Sequence, residues 1–568
     1  MNPFTISGKG TEQNTYDAIV IGSGITGGIA AKELTQAGLK VLVVERGRMV
    51  EHVKDYPTAL TDPWDFPLRN MTSLEEQKDY EVQKNLYLFG EDSKGFLVKD
   101  SESPYVQTKP FNWFRGNQVG GKSLLWSKHC YRLSDLDFEA NLKDGHGVDW
   151  PLRYKDLEPW YEHIEKYIGV SGNRDGIANL PDGNYLPPFE MNSFEKYLRK
   201  RIREAYAERD LIIGRVAVLT QDHNGRQRCH GRNLCHRGCI FGAPYSSNAG
   251  ALPDANRTGN LTLRPYSIVE SLIYDNKTNK LKGVRIIDSE TKESIEYYAK
   301  VVFLNASTLG STQILMQSKT DEFPNGLANS SGALGHYLMD HHSAIGASGM
   351  YSGLKNSFYY GQRPDSVYIP RFRNVNKTDQ PYLRGFAFEN WISKEDWTRG
   401  FYQTGIGADW KESLTKPGDW VAYFEAYGET LPEYNNKVTI SETKKDKWGL
   451  PVLEIDMQFG ENEKKMRIDM QQTTVDMLKA SDLHSIQPFD NAVPGSTIHE
   501  MGTARMGHDP KTSVLNKWNQ SHDISNLFVT DGSCMPSSPC QNPSLTYMAL
   551  TARACDYAVK TLKKNGSL

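Results

Sequence analysis

The sequence has few cysteines, no basic excess and no long apolar run. Seven cysteines in 568 residues are an odd number, which gives no disulfide framework in so long a chain. The formal net charge of -3 lacks the positive excess of nucleic-acid-binding proteins. No apolar run is long enough to span a bilayer, so we expect no direct membrane insertion. Residues 1–6 lack the features of an export signal, and the sequence alone therefore predicts a cytoplasmic protein.

A dinucleotide fingerprint lies near the start of a chain that is long enough for two closely joined domains. An apolar strand-like run is followed by Gly22, Gly24 and Gly27. The first two glycines allow a tight turn and close approach of a pyrophosphate, and Gly27 lets the next helix pack on the strand. A second strand, residues 41–44, ends on Glu45, where a ribose hydroxyl needs an acceptor. A glycine triplet alone also fits an ordinary turn, but strand, turn, helix, strand and acid in this order favour a dinucleotide site. Since no second complete fingerprint follows, we predict one dinucleotide bound in place, FAD.

A second glycine segment runs from Arg115 to Trp126 and is less specific. It contains Gly116, Gly120, Gly121 and Ser123. Its backbone N–H groups are of the kind that can lie against a flavin ring or its phosphates. An ordinary tight turn explains the same residues equally well.

Three cysteines are concentrated within residues 229–239. Cys229, Cys235 and Cys239 have no fourth cysteine nearby, and three thiolates suit a three-iron cluster better than a four-iron one. His230 and His236 leave open a zinc site with mixed ligands. Three buried free thiols are the structural alternative. The remaining cysteines are interpreted as core residues: Cys130, Cys534, Cys540 and Cys555.

Two polar residues in the C-terminal region have side chains suited to alcohol oxidation. An imidazole at His499 can accept the proton that an alcohol loses when its hydride leaves. Asn542 cannot titrate, but it can donate a hydrogen bond to the substrate oxygen. From the residues alone, a structural histidine that caps the turn at Gly502 fits His499 better. His341 and His342 are competing histidines that we rank below it.

Four ordered segments together resemble the glucose-methanol-choline (GMC) oxidoreductases: the Gly22 fingerprint, 116–126, 305–311 and 499–542. The resemblance implies an α/β fold with a Rossmann-like FAD-binding domain and an α+β substrate domain on an antiparallel sheet. The FAD-binding domain would be discontinuous, built from 14–130, 220–340 and 490–568. The substrate domain and its connections would use 131–219 and 341–489.

The resemblance also implies roles for individual residues. His499 would be the catalytic base and Asn542 its neighbour at the reactive edge of the flavin. Further FAD contacts would come from Val269, Asp531, Gly532, Asn542 and Pro543. Some family members bind the flavin covalently through a histidine in the second glycine segment. Leu125 holds that place here, and carbon cannot form this linkage, so the FAD is expected to be non-covalent.

The part of the chain after His342 shows the pattern expected of the substrate domain. Residues 366–372 and 420–427 read as short strands of an antiparallel sheet. Met466, Met470 and Met477 recur at helical spacing, which predicts a packing face rather than a cofactor contact.

The cysteine segment, taken with residues 149–157, is most similar to catalytic subunits of glucoside 3-dehydrogenase type. This resemblance implies oxidation of a ring hydroxyl, at carbon 3, of glucosides or disaccharides, with electrons leaving through a [3Fe-4S] cluster. Gluconate, fructose or glucose dehydrogenase chemistry and a flavin electron-transfer subunit without alcohol chemistry are the alternatives. The implied partners are a sugar substrate and a small subunit or cytochrome-type acceptor, and a signal-bearing partner would take the protein to the periplasm.

Overall fold

The computed structural model describes residues 14–357, 363 and 366–568. The opening residues 1–6, which bear on export, lie outside this range. The strands are β1 Thr15–Ile21, β2 Val41–Val44, β3 Val106–Gln107, β4 Ile212–Ile213, β5 Leu261–Arg264, β6 Ser267–Asp275, β7 Lys280–Asp288, β8 Ser294–Leu304, β9 His342–Tyr351, β10 Val367–Ile369, β11 Phe386–Lys394, β12 Trp420–Gly428, β13 Lys437–Lys445, β14 Pro451–Asp456, β15 His484–Asp490 and β16 Leu527–Val529. The α-helices are α1 Ile25–Gln36, α2 Asp135–Phe138, α3 Ala140–Asp144, α4 Tyr154–Ile168, α5 Ser193–Ala205, α6 Ala251–Arg257, α7 Thr308–Gln317, α8 Gly407–Thr415, α9 Glu461–Ala480 and α10 Ser544–Asn565.

Strands β1 and β2, which correspond to the two predicted strands, are neighbours in the first sheet, and the predicted helix α1 connects them. Its order is β5-β2-β1-β8-β7-β6, and β16 pairs with β8 as an additional strand. Strands β5, β2, β1 and β8 run parallel, as does β16 beside β8, whereas β6 and β7 are antiparallel additions. Strand β2 and the second half of β1 are apolar and buried because this part of the sheet is covered on both faces. Their carboxyl ends all meet at one edge, where α1 and α7 begin.

The second sheet is antiparallel in all of its pairings and has the order β15-β9-β12-β11-β10-β4. Helix α9 covers one face of it. The three methionines of the predicted stripe are fully buried there against Ile345 and Phe424, which confirms the packing role. The predicted strand at 366–372 is shorter than expected and ends at Ile369 because Pro370 has no N–H to donate to a ladder.

A third, small sheet has the order β13-β14-β3.

The observed fold is the predicted one: an α/β FAD-binding fold joined to an α+β part on an antiparallel sheet. Among the described helices, none is both long and apolar enough to cross a membrane.

Candidate active site

One cavity of about 1030 Å³ separates the two larger sheets. On one side it is lined by the carboxyl ends of β1 and β2 and by the first residues of α1, α7 and α10. On the other side it is lined by alternate side chains of β11 and β12. Helix N-termini carry partial positive charge and unpaired N–H groups, so this edge of the first sheet suits a phosphate-bearing ligand.

The first glycine turn has space for a ligand at one position and none at the others. Gly22 has a φ of +93°, and a Cβ there would lie 2.4 Å from the carbonyl oxygen of Asn305. A Cβ at Gly27 would lie 1.9 Å from the carbonyl oxygen of Gly22, so α1 packs directly on the turn. At Gly24, by contrast, no protein atom lies within 4 Å of the Cβ position, and the backbone borders the cavity.

Glu45 lies at the end of β2 and borders the same cavity. Its Oε2 accepts hydrogen bonds from the backbone N–H and the hydroxyl of Ser23 at 3.0 and 2.6 Å, and its Oε1 accepts from the N–H of Gly47 at 2.9 Å. Burial raises the pKa of this carboxyl group, although those donors oppose the shift. The side chain is thus held rigidly where a ribose hydroxyl needs an acceptor.

The second glycine segment packs face to face with the first. Gly121 opens a short 3₁₀ helix, Gly121–Leu124, and its Cβ position lies 3.4 Å from the Cα of Gly24. Gly120 has a φ of +89° and donates its N–H to the Ser23 hydroxyl at 2.9 Å. The backbones of the two turns therefore form one wall of the cavity. From the sequence alone, the second segment could equally have been an ordinary tight turn.

The predicted FAD residues divide into those that border the cavity and those that support it. Bordering it are Gly22, Gly24, Glu45, Gly116, Gly121, Ser123, Val269, Asp531, Gly532 and Asn542. Gly27 and Gly120 lie behind the surface, and Pro543 caps the N-terminus of α10. Glycine turns, helix N-termini and a fixed acid at one cavity are the features that a dinucleotide requires, so these residues fit FAD.

His499 borders the cavity next to a second histidine. Its Nδ1 lies 3.0 Å from Nδ1 of His341, and Nε2 of His341 contacts the carbonyl oxygen of Pro539. A carbonyl only accepts, so His341 donates from Nε2 and accepts at Nδ1. His499 must then donate from Nδ1, which leaves the lone pair on its Nε2 toward the cavity.

Burial keeps both of these imidazoles neutral. It lowers the pKa of His341 to about 4 and the pKa of His499 well below its usual value, and the neighbouring His341 and Lys122 lower the latter further. A neutral imidazole with a fixed tautomer is the form that accepts a proton from an alcohol. From the sequence, we ranked His341 below His499 as a candidate base. In the structure, His341 instead forms a hydrogen bond with His499.

Asp340 fixes the backbone that carries His499. Its carboxylate accepts the N–H groups of Gly495 at 2.8 Å, Thr497 at 3.3 Å and His499 at 3.0 Å. Burial and the nearby Glu500 raise the pKa of Asp340 to about 7. Ile498, just before His499, has a φ of +64°, a strained conformation that these bonds hold in place. No local sequence signal identifies Asp340, since its partners lie more than 150 residues away.

Asn542 borders the same cavity as His499, at the start of α10. The structure thus brings both predicted catalytic residues to the cavity that contains the glycine turns and Glu45. Leu125, which the resemblance aligns with the tethering histidine of some family members, also borders the cavity.

The cysteine segment approaches the cavity from the side. Cys235 borders it, and burial raises the pKa of Cys229 to about 11, with smaller contributions from the other two thiols. His236 contacts Asp92 at 2.9 Å and the His230 ring stacks near Phe241, so both histidines have other partners. Within the described ranges no three such side chains are arranged to bind a metal ion, and the thiols as placed do not fit a cluster.

Comparison with known proteins agrees with this fold. Two family models described as GMC oxidoreductase match residues 195–343 and 432–551. The chain belongs to the GMC oxidoreductase family, and it is an enzyme of the class that acts on CH–OH groups with FAD.

Individual relatives span almost the whole chain. A 2-methyl-1,2-propanediol dehydrogenase of Mycolicibacterium austroafricanum is 29% identical, over 96% of each chain. The fructose dehydrogenase large subunit of Gluconobacter japonicus is 27% identical, over 97% of this chain and 99% of its own. Among solved structures, a variant of the formate oxidase of Aspergillus oryzae RIB40 has a TM-score of 0.62, with 13% identity, over 98% of this chain and 100% of its own.

Proposed function

We propose that this protein is a dehydrogenase that oxidises a ring hydroxyl, at carbon 3, of glucosides or glucose-containing disaccharides. The observation that carries the proposal is the fixed tautomer of His499, whose Nε2 faces the cavity that also contains the dinucleotide-binding turns. A subunit that only relays electrons needs no such base. The fructose dehydrogenase relative supports a sugar substrate in general.

Each group at the site would have a separate role in alcohol oxidation. FAD supplies the acceptor for the hydride. Nε2 of His499 accepts the hydroxyl proton, and the Asn542 amide donates a hydrogen bond to the same substrate oxygen. His341 and the Pro539 carbonyl hold the imidazole so that its basic nitrogen stays in position.

A substrate panel tests this proposal. Purified FAD-loaded enzyme with methyl glucoside and a dye acceptor is expected to bleach the dye, and product analysis should find the ketone at carbon 3. Fructose, glucose and gluconate in the same assay test the alternative reactions of the family. If no sugar or alcohol reduces the flavin, the protein is an electron-transfer subunit instead.

We further propose that residues 229–239 take up a [3Fe-4S] cluster, whose chemistry would be one-electron transfer to an external acceptor. Three thiols in one segment, with Cys235 at the cavity wall, support this proposal. The segment must rearrange to bind iron, because its thiols as placed do not form a ligand group. A small subunit or cytochrome-type protein would then accept the electrons, and such a partner could carry the protein to the periplasm.

Metal analysis of anaerobically purified enzyme tests the cluster. We expect about three irons per chain and a paramagnetic resonance signal from the oxidised cluster that disappears on adding substrate. Cys235→Ser should lose this iron, keep FAD and still allow flavin reduction by substrate. Cys555→Ala, outside the segment in α10, is the matched control and should keep its iron. Zinc without the signal, or no metal, would contradict the proposal.

A further inference from the structure

Two carboxylic acids face each other on the wall of the active-site cavity. Glu389 on β11 is paired in register with Glu425 on β12, and both border the cavity. Residues directly opposite on antiparallel strands have Cβ atoms about 4.5–5.5 Å apart, and like charges in this position destabilise the sheet. Glu389 is 3% exposed, so little water screens the repulsion.

Several neighbouring groups contact this pair. His129 approaches Glu389 at 3.4 Å, and the backbone N–H of Ala344 donates to Oε1 of Glu425 at 2.8 Å. On the other side of β12, the residue opposite Glu425 is Gly346, which places no side chain there. Burial, with Glu389 adding to it, raises the pKa of Glu425 to about 7. Glu425 can therefore donate a hydrogen bond as a neutral acid at pH values below about 7.

The acid pair lies on the same face of β12 as Tyr427, whose ring is close to the ring of His499. Tyr427 lies two residues beyond Glu425 on the same face of β12, and its ring centroid is 6.3 Å from that of His499. Two residues along a strand correspond to about 7 Å. The two acids, Tyr427 and His499 therefore border the same cavity.

Aromatic rings continue the wall beyond the acids. Trp391 and Tyr423 form the next cross-strand pair, with ring centroids 6.0 Å apart, and both border the cavity. Flat rings beside hydrogen-bonding groups suit a ligand that has both apolar faces and hydroxyl groups. The aromatic part of the wall therefore suits a hydroxyl-rich molecule with apolar faces.

We propose that Glu389 and Glu425 bind neighbouring hydroxyl groups of an uncharged substrate and discriminate against sugar acids. This inference rests on the proposed function and narrows it, because gluconate is one of the alternatives that the sequence left open. A gluconate carboxylate at this wall would meet two acids, whereas a glucoside would meet hydrogen-bonding partners for its hydroxyls.

The test compares a neutral and an anionic ligand in charge-removing variants. Methyl glucoside and gluconate are titrated by calorimetry into the oxidised, FAD-loaded enzyme without an acceptor, so that binding is read independently of turnover. We expect the wild type to bind methyl glucoside at least tenfold more tightly than gluconate. Titrated at a pH well above 7, where Glu425 is ionised, Glu389→Gln and Glu425→Gln should each bind gluconate about tenfold more tightly than the wild type does, since one repulsive charge is gone.

The matched control is Glu442→Gln, which removes an exposed acid from β13 in a different sheet and should leave both affinities unchanged. Unchanged gluconate affinity in both cavity variants would overturn the inference. Glucosamine binding more than tenfold tighter than methyl glucoside would also overturn it, because the pair would then be a site for a cation.

The same titrations separate this inference from the proposed function. If methyl glucoside reduces the flavin but the variants do not change the gluconate preference, the acid pair has no such role and the proposed oxidation stands. If instead the variants shift the preference but no sugar reduces the flavin, the cavity selects neutral ligands and the oxidation proposal is wrong.

Discussion

Replacing His499 with alanine is expected to lower the turnover number by about a hundredfold or more, with FAD still bound. The structure fixes the tautomer of this imidazole at the cavity through His341 and the Pro539 carbonyl. Stopped-flow measurement of flavin reduction by substrate reads this step directly. His484→Ala is the control, since that histidine lies exposed on β15 and should leave the rate unchanged.

The pH profile provides an independent check on the same residue. Because burial lowers the pKa of His499 well below 6.5, the imidazole stays in its neutral, proton-accepting form as the pH falls through that value. In the wild type, the fall in kcat/KM that reports protonation of His499 should therefore lie clearly below pH 6.5, on the acid side of an ordinary histidine. A near wild-type rate in His499→Ala would remove this residue from the catalytic step.

Gly27→Ala is expected to destabilise the fold whereas Gly24→Ala is not, and both are expected to weaken FAD binding. At Gly27 the new Cβ would lie 1.9 Å from a backbone carbonyl, so helix α1 must shift. We expect a loss of about 3 kcal/mol or more in the free energy of unfolding, although alanine favours a helix, together with loss of FAD. At Gly24 no protein atom opposes the methyl group and the φ of −63° suits alanine. The protein should fold normally yet bind FAD at least tenfold more weakly, because the methyl group occupies the place of the pyrophosphate.

Thermal denaturation of the FAD-depleted variants measures the folding effect, and FAD titration measures the binding effect. Gly38→Ala is a poor control because its φ is +92°. Gly95 has open space and no strained φ, so Gly95→Ala should change neither quantity. FAD affinity equal to the wild type in Gly24→Ala would mean that the pyrophosphate does not lie against this glycine.

The sequence predicted the elements whose signals are local. The strand before Gly22, helix α1 and the strand before Glu45 were predicted because burial on both faces and glycine spacing act over a few residues. The methionine stripe of α9 was predicted for the same reason. Strand β10 ended earlier than predicted at Pro370, since the apolar pattern was given more weight than the missing N–H.

The active site depends on contacts between residues that are far apart in the chain, and local sequence patterns do not reveal such contacts. His341 and His499 are 158 residues apart, and only the fold makes one histidine set the tautomer of the other. The sequence analysis identified neither Glu389 nor Glu425 as a site residue, and only the register of β11 and β12 places them opposite each other. The local sequence pattern predicted the strand, glycine turn and helix of the first sheet, and the family resemblance made His499 the candidate base. The tertiary structure decided the tautomer of that base and the charge of the substrate wall, because hydrogen bonds and repulsion depend on distances that only folding sets.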